Sequence, residues 1–246
     1  MRRERVTVSG GGQQGAVRWV TVPGGHWDHA TAGELVDAAG ELVDDRSIRV
    51  VVLAADGPDF CLGPDDGLDP LSFRPDPAAV LSRLRPPVVA VIGGRCASVG
   101  LEVALACDIR ICHPEASFAV DHLAGGRLPC WGGTQRLARA VRPAEATALL
   151  LLGKAVDAER ALQLGLVHQV ADDPVEAAHQ VAATLTERGP LALELAKEAV
   201  HRGAELPLRD GLRLEGDLNH LLAATDDRAE GLAAFFDKRP PDFAGR

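Results

Sequence analysis

Two short runs of mostly apolar, β-branched residues constrain the fold of this chain most strongly: IRVVVLAA at residues 48–55 and PPVVAVIGG at residues 86–94. Neither run alternates apolar with polar residues, which is typical of strands that are buried on both faces of a sheet. A glycine-containing turn follows each run, and a helical apolar pattern over residues 98–108 follows the second. Strands of this kind belong to parallel sheets with crossover helices, so the chain is predicted to contain βαβ units.

The remaining pattern divides the chain into an α/β part and a helical part. Alternation over residues 17–22 predicts a strand, and apolar residues at helical spacing predict a helix over residues 29–45. From Gly133 onward the apolar periodicity is almost wholly helical. We therefore predict an α/β core over residues 1–190 and a helical C-terminal region over residues 191–246.

Charge and composition exclude several classes of partner. Acidic side chains outnumber basic ones by 35 to 26, which gives a net charge of −9 and argues against a nucleic-acid partner. No run approaches the ~20 apolar residues that cross a bilayer, and no apolar segment follows the basic N-terminal residues. We therefore expect a cytoplasmic protein with no membrane partner. Five cysteines without a CxxC pair favour reduced thiols, so neither disulfides nor a metal site are expected.

The two glycine-containing turns, FCLGPDD and GGRCASVG, are candidates for binding an anion. The first N–H groups of a helix lack intrahelical partners, and the helix dipole adds partial positive charge there. Two such turns side by side can supply a pair of N–H donors to an oxyanion. Pro64 has no N–H, so it is either an ordinary turn residue or a lost donor.

Four segments of the chain occur in the order that is typical of one known family. They are VVVLAADGPDFCLGPDDGL, PPVVAVIGGRCASVGLEVALACDIRICHPEASFAVDHLAGGRLPCWGGTQRL, ALLLLGKAVDAERALQLGLVHQVA and AAFFDKRPPDFAG. Together they resemble the enoyl-CoA hydratase/isomerase (crotonase) family over nearly the whole chain. The CDIRI and GGTQRL motifs are the most specific part of this resemblance.

The resemblance implies the fold, the assembly and the chemistry. It implies an α/β spiral of ββα units with a helical C-terminal trimerisation region, and a homotrimer or a dimer of trimers. It also implies an acyl-CoA or acyl-carrier thioester whose carbonyl oxygen lies between two backbone N–H groups. The implied reaction is enolate stabilisation during hydration or isomerisation of the acyl group. No cofactor is expected beyond the coenzyme A of the substrate.

The same resemblance assigns the oxyanion donors to residues that depart from the family pattern. The first donor position falls on Pro64 and the second on Val99, with Leu62, Asp65 and Gly100 beside them in the substrate site. Proline cannot donate, and the loss of one such donor costs ~3 kcal/mol of transition-state stabilisation. The N–H of Asp65 could replace it after a local shift. At the second position, Val99 keeps an N–H, but this β-branched residue replaces a glycine that permits close approach or unusual φ values.

The proton-transfer residues are also assigned by the resemblance. Glu102 retains the family's first catalytic glutamate, whereas His122 replaces the second and can still transfer protons at neutral pH. Asp121 is predicted either to orient His122 or to cap the following turn. Cys130 is either a nucleophile whose pKa is lowered by a helix N-terminus or a small pocket-lining residue, and Trp131 is expected to narrow the pocket.

Three functions remain open at this point. A competent enzyme would handle protons with Glu102 and His122. A catalytically impaired member would only bind a CoA thioester or a protein partner, which the residues Pro64 and Val99 suggest. A third possibility is thioester hydrolysis or decarboxylation through His122 or Cys130.

Overall fold

The computed structural model describes residues 3–11 and 15–246. Its strands, in chain order, are β1 (Thr7–Gly11), β2 (Val17–Pro23), β3 (His26–Trp27), β4 (Val50–Asp56), β5 (Gly63–Pro64), β6 (Val88–Ile92), β7 (Arg95–Ala97), β8 (Ile109–Cys112), β9 (Ser117–Ala119), β10 (Val156–Asp157) and β11 (Gln169–Val170). Its helices are α1 (His29–Val43), α2 (Pro77–Ser82), α3 (Val99–Ala104), α4 (Gly133–Ala140), α5 (Pro143–Leu152), α6 (Ala158–Leu164), α7 (Pro174–Thr186), α8 (Pro190–Gly203), α9 (Leu208–Ala223) and α10 (Asp226–Asp237). Short 3₁₀ turns cover Pro70–Ser72 and His122–Gly125.

The main sheet has the strand order β1-β2-β4-β6-β8-β11. Strand β1 runs antiparallel to β2, and every later neighbour pair is parallel. The two apolar runs form β4 and β6 at the centre of this sheet. The predicted parallel βαβ arrangement is therefore confirmed.

Both faces of the main sheet are covered, which explains why the central strands do not alternate. Along β4, Val51 and Leu53 belong to a core cluster that includes residues of α1 and α2. Val50 and Val52 belong to a second cluster, which includes Ala178 of α7. Successive side chains of a strand point to opposite faces, so each face requires its own apolar set.

Two further sets of short strands follow the ends of the main strands. One sheet has the order β10-β9-β7, and β3 pairs with β5. Strand β7 follows β6, and β9 follows β8. After each of these two main-sheet strands, the chain therefore forms a short strand of the β10-β9-β7 sheet before it reaches a helix. The short strands place the loops after β4 and β6 side by side, with an isolated bridge between Cys61 and Cys96.

Ion pairs tie the helical C-terminal region to the α/β core. In α8, Lys197 lies 2.7 Å from one carboxylate oxygen of Asp108, and His201 lies 3.0 Å from the other. Burial alone would raise the pKa of Asp108, but hydrogen bonds from its partners and the charge of Lys197 hold that pKa below its ordinary value. Helix α8 begins at Pro190, at the predicted boundary, but its ion pairs with Asp108 connect it to the α/β core. The boundary at residue 190 therefore stays a prediction.

Within the described ranges, no helix is both long enough and apolar enough to cross a membrane.

Candidate active site

Two turns that follow the central strands meet at the candidate site. The first turn comprises residues 61–65 after β4, and the second turn comprises residues 98–102 after β6 and β7. They pack so closely that a Cβ atom on Gly100 would lie 2.2 Å from the Cβ of Cys61. Glycine is therefore required at position 100, because any side chain there would separate the two turns.

The first turn uses its N–H groups for pairing with the segment around β3. Leu62 donates to the carbonyl oxygen of Gly25 at 2.8 Å. Asp65 donates to the carbonyl oxygen of Trp27, also at 2.8 Å. Pro64 has no N–H to donate. The hypothesis that Asp65 replaces the missing donor is not supported, because its N–H already has a partner.

The second turn begins with a strained residue. Ser98 has φ +51° and ψ −126°, a conformation that residues other than glycine rarely adopt, and its N–H donates to Ala119 at 3.1 Å. Val99 is the first residue of α3, so its N–H belongs to the group that lacks intrahelical partners. The unusual φ that the sequence led us to expect at position 99 therefore falls on Ser98, and Val99 has ordinary helical geometry.

A cavity of about 620 Å³ lies in front of these turns. It is lined by Pro64, by Ser98 and Val99, by residues 68–71, by His122 and by residues 126–130. Four of the predicted site residues line this cavity: Pro64, Val99, His122 and Cys130. The other predicted site residues lie beside or behind that wall: Leu62, Asp65, Gly100, Glu102 and Trp131.

Glu102 lies behind the cavity wall with its carboxylate fully engaged. Its side chain is buried, and one oxygen accepts from the N–H groups of Trp131 at 2.8 Å and Gly133 at 2.7 Å. The other oxygen lies 3.0 Å from Nε2 of His122 and 3.4 Å from the N–H of Cys130. The second glycine of the CWGGT segment permits this contact, because a Cβ at Gly133 would lie 2.9 Å from the Glu102 side chain.

Of the two residues predicted to transfer protons, His122 lines the cavity and Glu102 does not. His122 is 7% exposed, and its buried Nδ1 has no hydrogen-bond partner among the described residues. An ionised Glu102 requires a hydrogen on Nε2, which leaves a lone pair on Nδ1. We assign this tautomer from the hydrogen-bond pattern. His122 and Glu102 thus form a buried pair with one free acceptor nitrogen.

Asp121 does neither of the things predicted for it. Its carboxylate lies 3.0 Å from the guanidinium of Arg95, and its side chain makes no capping hydrogen bond to the 3₁₀ turn that follows. The residue that orients the His122 ring is Glu102, which is twenty positions earlier in the chain.

The structure changes the expectations for Cys130 and Trp131. Burial, together with the nearby charge of Glu102, raises the pKa of the Cys130 thiol to about 11, opposite to the lowered pKa of a nucleophile. Trp131 is fully buried, and its indole N–H donates to the carbonyl oxygen of Pro70 at 2.9 Å. Its ring packs edge-on against Phe73. Trp131 therefore connects the segment around residues 70–73 to the segment around residue 131, and it does not line the cavity.

Sequence reasoning missed two features of the site. Neither the strain at Ser98 nor the N–H group of Gly133 was considered. The signal for the strain is Ser98, which takes the first position of a segment where the family pattern has GGG. The signal for the Gly133 N–H is the glycine pair that precedes a helix.

Across residues 3–11 and 15–246, no group of three or more His, Cys, Asp and Glu side chains is arranged to hold a metal ion.

Known proteins resemble this chain in sequence and in structure. Residues 75–246 match the family described as enoyl-CoA hydratase/isomerase. The 2,3-dehydroadipyl-CoA hydratase of Escherichia coli is 37% identical over 89% of this chain and 90% of its own length. The (E)-benzylidenesuccinyl-CoA hydratase of Thauera aromatica is 33% identical over 89% of this chain and 90% of its own length. The crystal structure of enoyl-CoA hydratase from Bacillus anthracis superposes with a TM-score of 0.90 at 29% identity, covering 99% of this chain and 100% of that one, which confirms the predicted fold class.

Proposed function

Since the chain belongs to the enoyl-CoA hydratase/isomerase family, whose members act on acyl-CoA thioesters, we propose that it transfers protons at C2 of an enoyl-CoA thioester and so hydrates or isomerises the acyl group. The observation that carries this proposal is the buried His122–Glu102 pair at the cavity wall. His122 and Val99, the latter at the start of α3, line the same cavity.

In the proposed mechanism, the thioester carbonyl oxygen accepts a hydrogen bond from the N–H of Val99. The helix dipole of α3 adds to this stabilisation where negative charge develops on the oxygen. In isomerisation, His122 removes a proton from C2 and a proton is returned at C4. In hydration, His122 takes a proton from the water that adds to C3, and a proton is delivered to C2. Glu102, held against Nε2, stabilises the imidazolium that forms in either reaction. The first turn contributes Pro64 as a cavity wall and supplies no donor of its own.

Exchange of the C2 protons of butyryl-CoA with D₂O tests this proposal, because the exchange needs the two steps that hydration and isomerisation share: proton transfer at C2 and stabilisation of negative charge on the thioester oxygen. We expect exchange that mass spectrometry detects, and a fall of about 10²–10⁴-fold in His122→Ala. His179→Ala removes an exposed histidine of α7, which is not part of the C-terminal helices, and should exchange at the wild-type rate. Exchange that survives in His122→Ala would contradict the proposal.

A second candidate function is thioester binding without turnover. It is favoured by Pro64 and by the pairing of the Asp65 N–H with Trp27, because Val99 is then the one donor that we assign to the thioester oxygen. Thermal stabilisation by crotonyl-CoA without any C2 exchange in butyryl-CoA would support this candidate. Stabilisation together with His122-dependent exchange would reject it.

Hydrolysis through a thiolate has less support. A thiol with a pKa near 11 is almost entirely protonated at neutral pH. We expect Cys130→Ser to keep full exchange activity, and we expect no acyl adduct on Cys130 by intact-protein mass spectrometry.

We also propose that the chain forms a homotrimer or a dimer of trimers through its C-terminal helices. Large apolar side chains on α8, α9 and α10 are exposed in the single chain, including Val200, Leu208, Leu221, Phe235 and Phe236. Exposed apolar side chains of this density mark an interface. Light scattering after size exclusion should give a mass of three or six chains. The proposal includes no cofactor beyond coenzyme A, so dialysis against a chelator should leave exchange unchanged.

A further inference from the structure

The first turn has no N–H group left for a ligand. Every N–H of that turn already has an acceptor: the carbonyl oxygens of Arg95, Gly25 and Trp27, and the Sγ of Cys61. Pro64, which is the residue of this turn on the cavity wall, has no N–H at all. A second donor to the thioester oxygen must therefore come from elsewhere on the wall.

The side chain of Ser98 lies next to Pro64. A Cβ atom on Gly63 would lie 3.5 Å from the Cβ of Ser98, so the serine side chain packs directly against the residue that precedes Pro64. Ser98 and Pro64 also line the same cavity. The serine hydroxyl therefore belongs to the part of the wall where the first turn offers no donor.

The hydroxyl of Ser98 is available to a ligand, although the residue is 5% exposed. It makes no capping hydrogen bond to α3 and no other hydrogen bond among the described residues. In that part of the chain, the side-chain polar atoms that are fully buried without a partner belong to Arg3, Asp108 and His122. The unpaired Oγ of Ser98 is not one of them, so it keeps accessible surface, on the cavity that Ser98 lines. A serine hydroxyl in this position can donate one hydrogen bond.

The backbone of Ser98 supports a functional role for this hydroxyl. Among the described residues, Ser98 and Lys238 are the two with a positive φ that are not glycine. Lys238 ends α10, where a left-handed residue is common. Ser98 instead connects β7 to α3 with φ +51° and ψ −126°, where a glycine would be free of strain. Strain of this kind is concentrated at active sites.

Building on the proposed function, we propose that the Oγ–H of Ser98 is the second donor to the thioester oxygen and replaces the N–H that Pro64 lacks. Only a few covalent bonds separate this Oγ from the N–H of Val99, the next residue, so one oxygen atom can accept from both. Both donors then come from consecutive residues of the second turn. No bond to Ser98 forms or breaks, and its hydrogen bond strengthens as negative charge develops on the oxygen during proton transfer at C2.

The same hydroxyl is not placed to act as a nucleophile. A serine at a sharp strand-to-helix turn is typical of some hydrolases, but such a serine needs a base within hydrogen-bond reach. Nε2 of His122 contacts Glu102 at 3.0 Å, and Nδ1 has no partner among the described residues, so neither nitrogen accepts from Ser98. The hydroxyl therefore keeps its hydrogen and acts as a donor.

Two substitutions that remove the hydroxyl test the inference. Ser98→Ala keeps the strained Cβ, whereas Ser98→Gly relieves the strain. We expect both to lower kcat for C2 exchange in butyryl-CoA by about 10²-fold with KM nearly unchanged, because an oxyanion donor contributes mainly in the transition state. Ser117→Ala, at a half-buried serine of β9 outside the cavity lining, is the matched control and should keep the wild-type rate.

The carbonyl stretching band of bound butyryl-CoA, labelled with ¹³C at C1, reports the hydrogen bond itself. A donor to the oxygen weakens the C=O bond. Difference infrared spectroscopy should therefore place the band at a higher wavenumber in Ser98→Ala than in the wild-type protein or in Ser117→Ala. Lost packing alone would leave the band in place.

The outcomes separate this donor role from the proposed function. Full C2 exchange in Ser98→Ala or Ser98→Gly, an unmoved carbonyl band, or an acyl adduct on Ser98 in intact-protein mass spectrometry would overturn the donor role. Exchange by the wild-type protein would leave the proposed function standing in each of these cases. No exchange by the wild-type protein would overturn the proposed function, and the carbonyl band would still decide the donor role.

Discussion

The first and second turns occupy equivalent places after neighbouring parallel strands, yet they give the cavity different groups. In the first turn, Leu62 and Asp65 use their N–H groups to pair with the segment around β3, and Pro64 has none. In the second turn, the strained Ser98 leads directly into a helix, so the N–H of Val99 is not used by the helix itself. The difference teaches that a turn keeps an N–H for a ligand only where neither pairing nor proline removes it.

The largest effect should come from making the second turn like the first. Val99→Pro deletes the donor at the first helical position, where a proline is compatible with the helix. We expect kcat for C2 exchange to fall by about 10²–10³-fold, the loss typical of one oxyanion donor. Val99→Ala keeps the N–H and shortens the side chain, so it controls for lost packing. A Val99→Pro protein that is folded by circular dichroism and fully active would show that the N–H of Val99 does not bind the oxyanion.

The reverse change should make the first turn like the second. Pro64→Ala restores an N–H at the cavity wall, and we expect kcat to rise by up to about 10²-fold. Steady-state kinetics with one enoyl-CoA substrate measure this change, and the midpoint of thermal unfolding shows whether the turn is intact. An unaltered rate in an equally stable protein would mean that position 64 does not face the thioester oxygen.

The close packing of the turns can be broken at Gly100. A methyl group there would overlap the Cβ of Cys61, so Gly100→Ala should lower the free energy of unfolding by about 1–3 kcal/mol. Denaturant titration measures the loss. Gly40→Ala is the matched control, because no atom lies within 4 Å of a Cβ added in that part of α1, and it should stabilise by about 0.5–1 kcal/mol. Equal stability of the two variants would contradict the packing of the turns described above.

The smallest effect concerns the strain in the second turn. Ser98→Gly removes the steric conflict of φ +51°, which costs about 1–3 kcal/mol, but adds freedom to the unfolded chain. We expect a net gain of about 1 kcal/mol in the free energy of unfolding. The control is a pair of variants at Ser82, in α2. The Ser82→Gly protein should have a free energy of unfolding about 0.5–1 kcal/mol lower than the Ser82→Ala protein. A destabilised Ser98→Gly protein would show that the serine conformation is not strained.

Elements with strong patterns could be predicted from the sequence, whereas short paired segments could not. Strands β4 and β6 could be predicted because each lies within a continuous apolar run. The family resemblance indicated Glu102 and His122 as site residues. Strands β3 and β5 have two residues each, too few for any periodicity, so the pairing that occupies the Asp65 N–H was invisible. The resemblance supplied the positions of the two predicted proton-transfer residues without revealing that their side chains contact each other.

Environment-dependent properties also escaped the sequence. The raised pKa of Cys130 depends on burial and on a carboxylate 28 positions away, and neither is a property of the residue type. The orientation of Trp131 also depends on its surroundings. Beside a glycine pair, its side chain could face the cavity or the core. The hydrogen bond from its indole N–H to the carbonyl oxygen of Pro70 determines that it faces the core.

The ion pairs of Asp108 determine whether the protein can be shortened. Expression of residues 1–190 alone would remove Lys197 and His201 and would leave a carboxylate without a cation beside the first residue of β6, whose N–H it accepts at 2.7 Å. The truncation would also remove the hydrogen bond from Lys197 to the carbonyl oxygen of Pro86, at 3.0 Å, and would expose Asp108 to water. A cut at a boundary of sequence pattern would therefore remove contacts that the α/β core makes with α8.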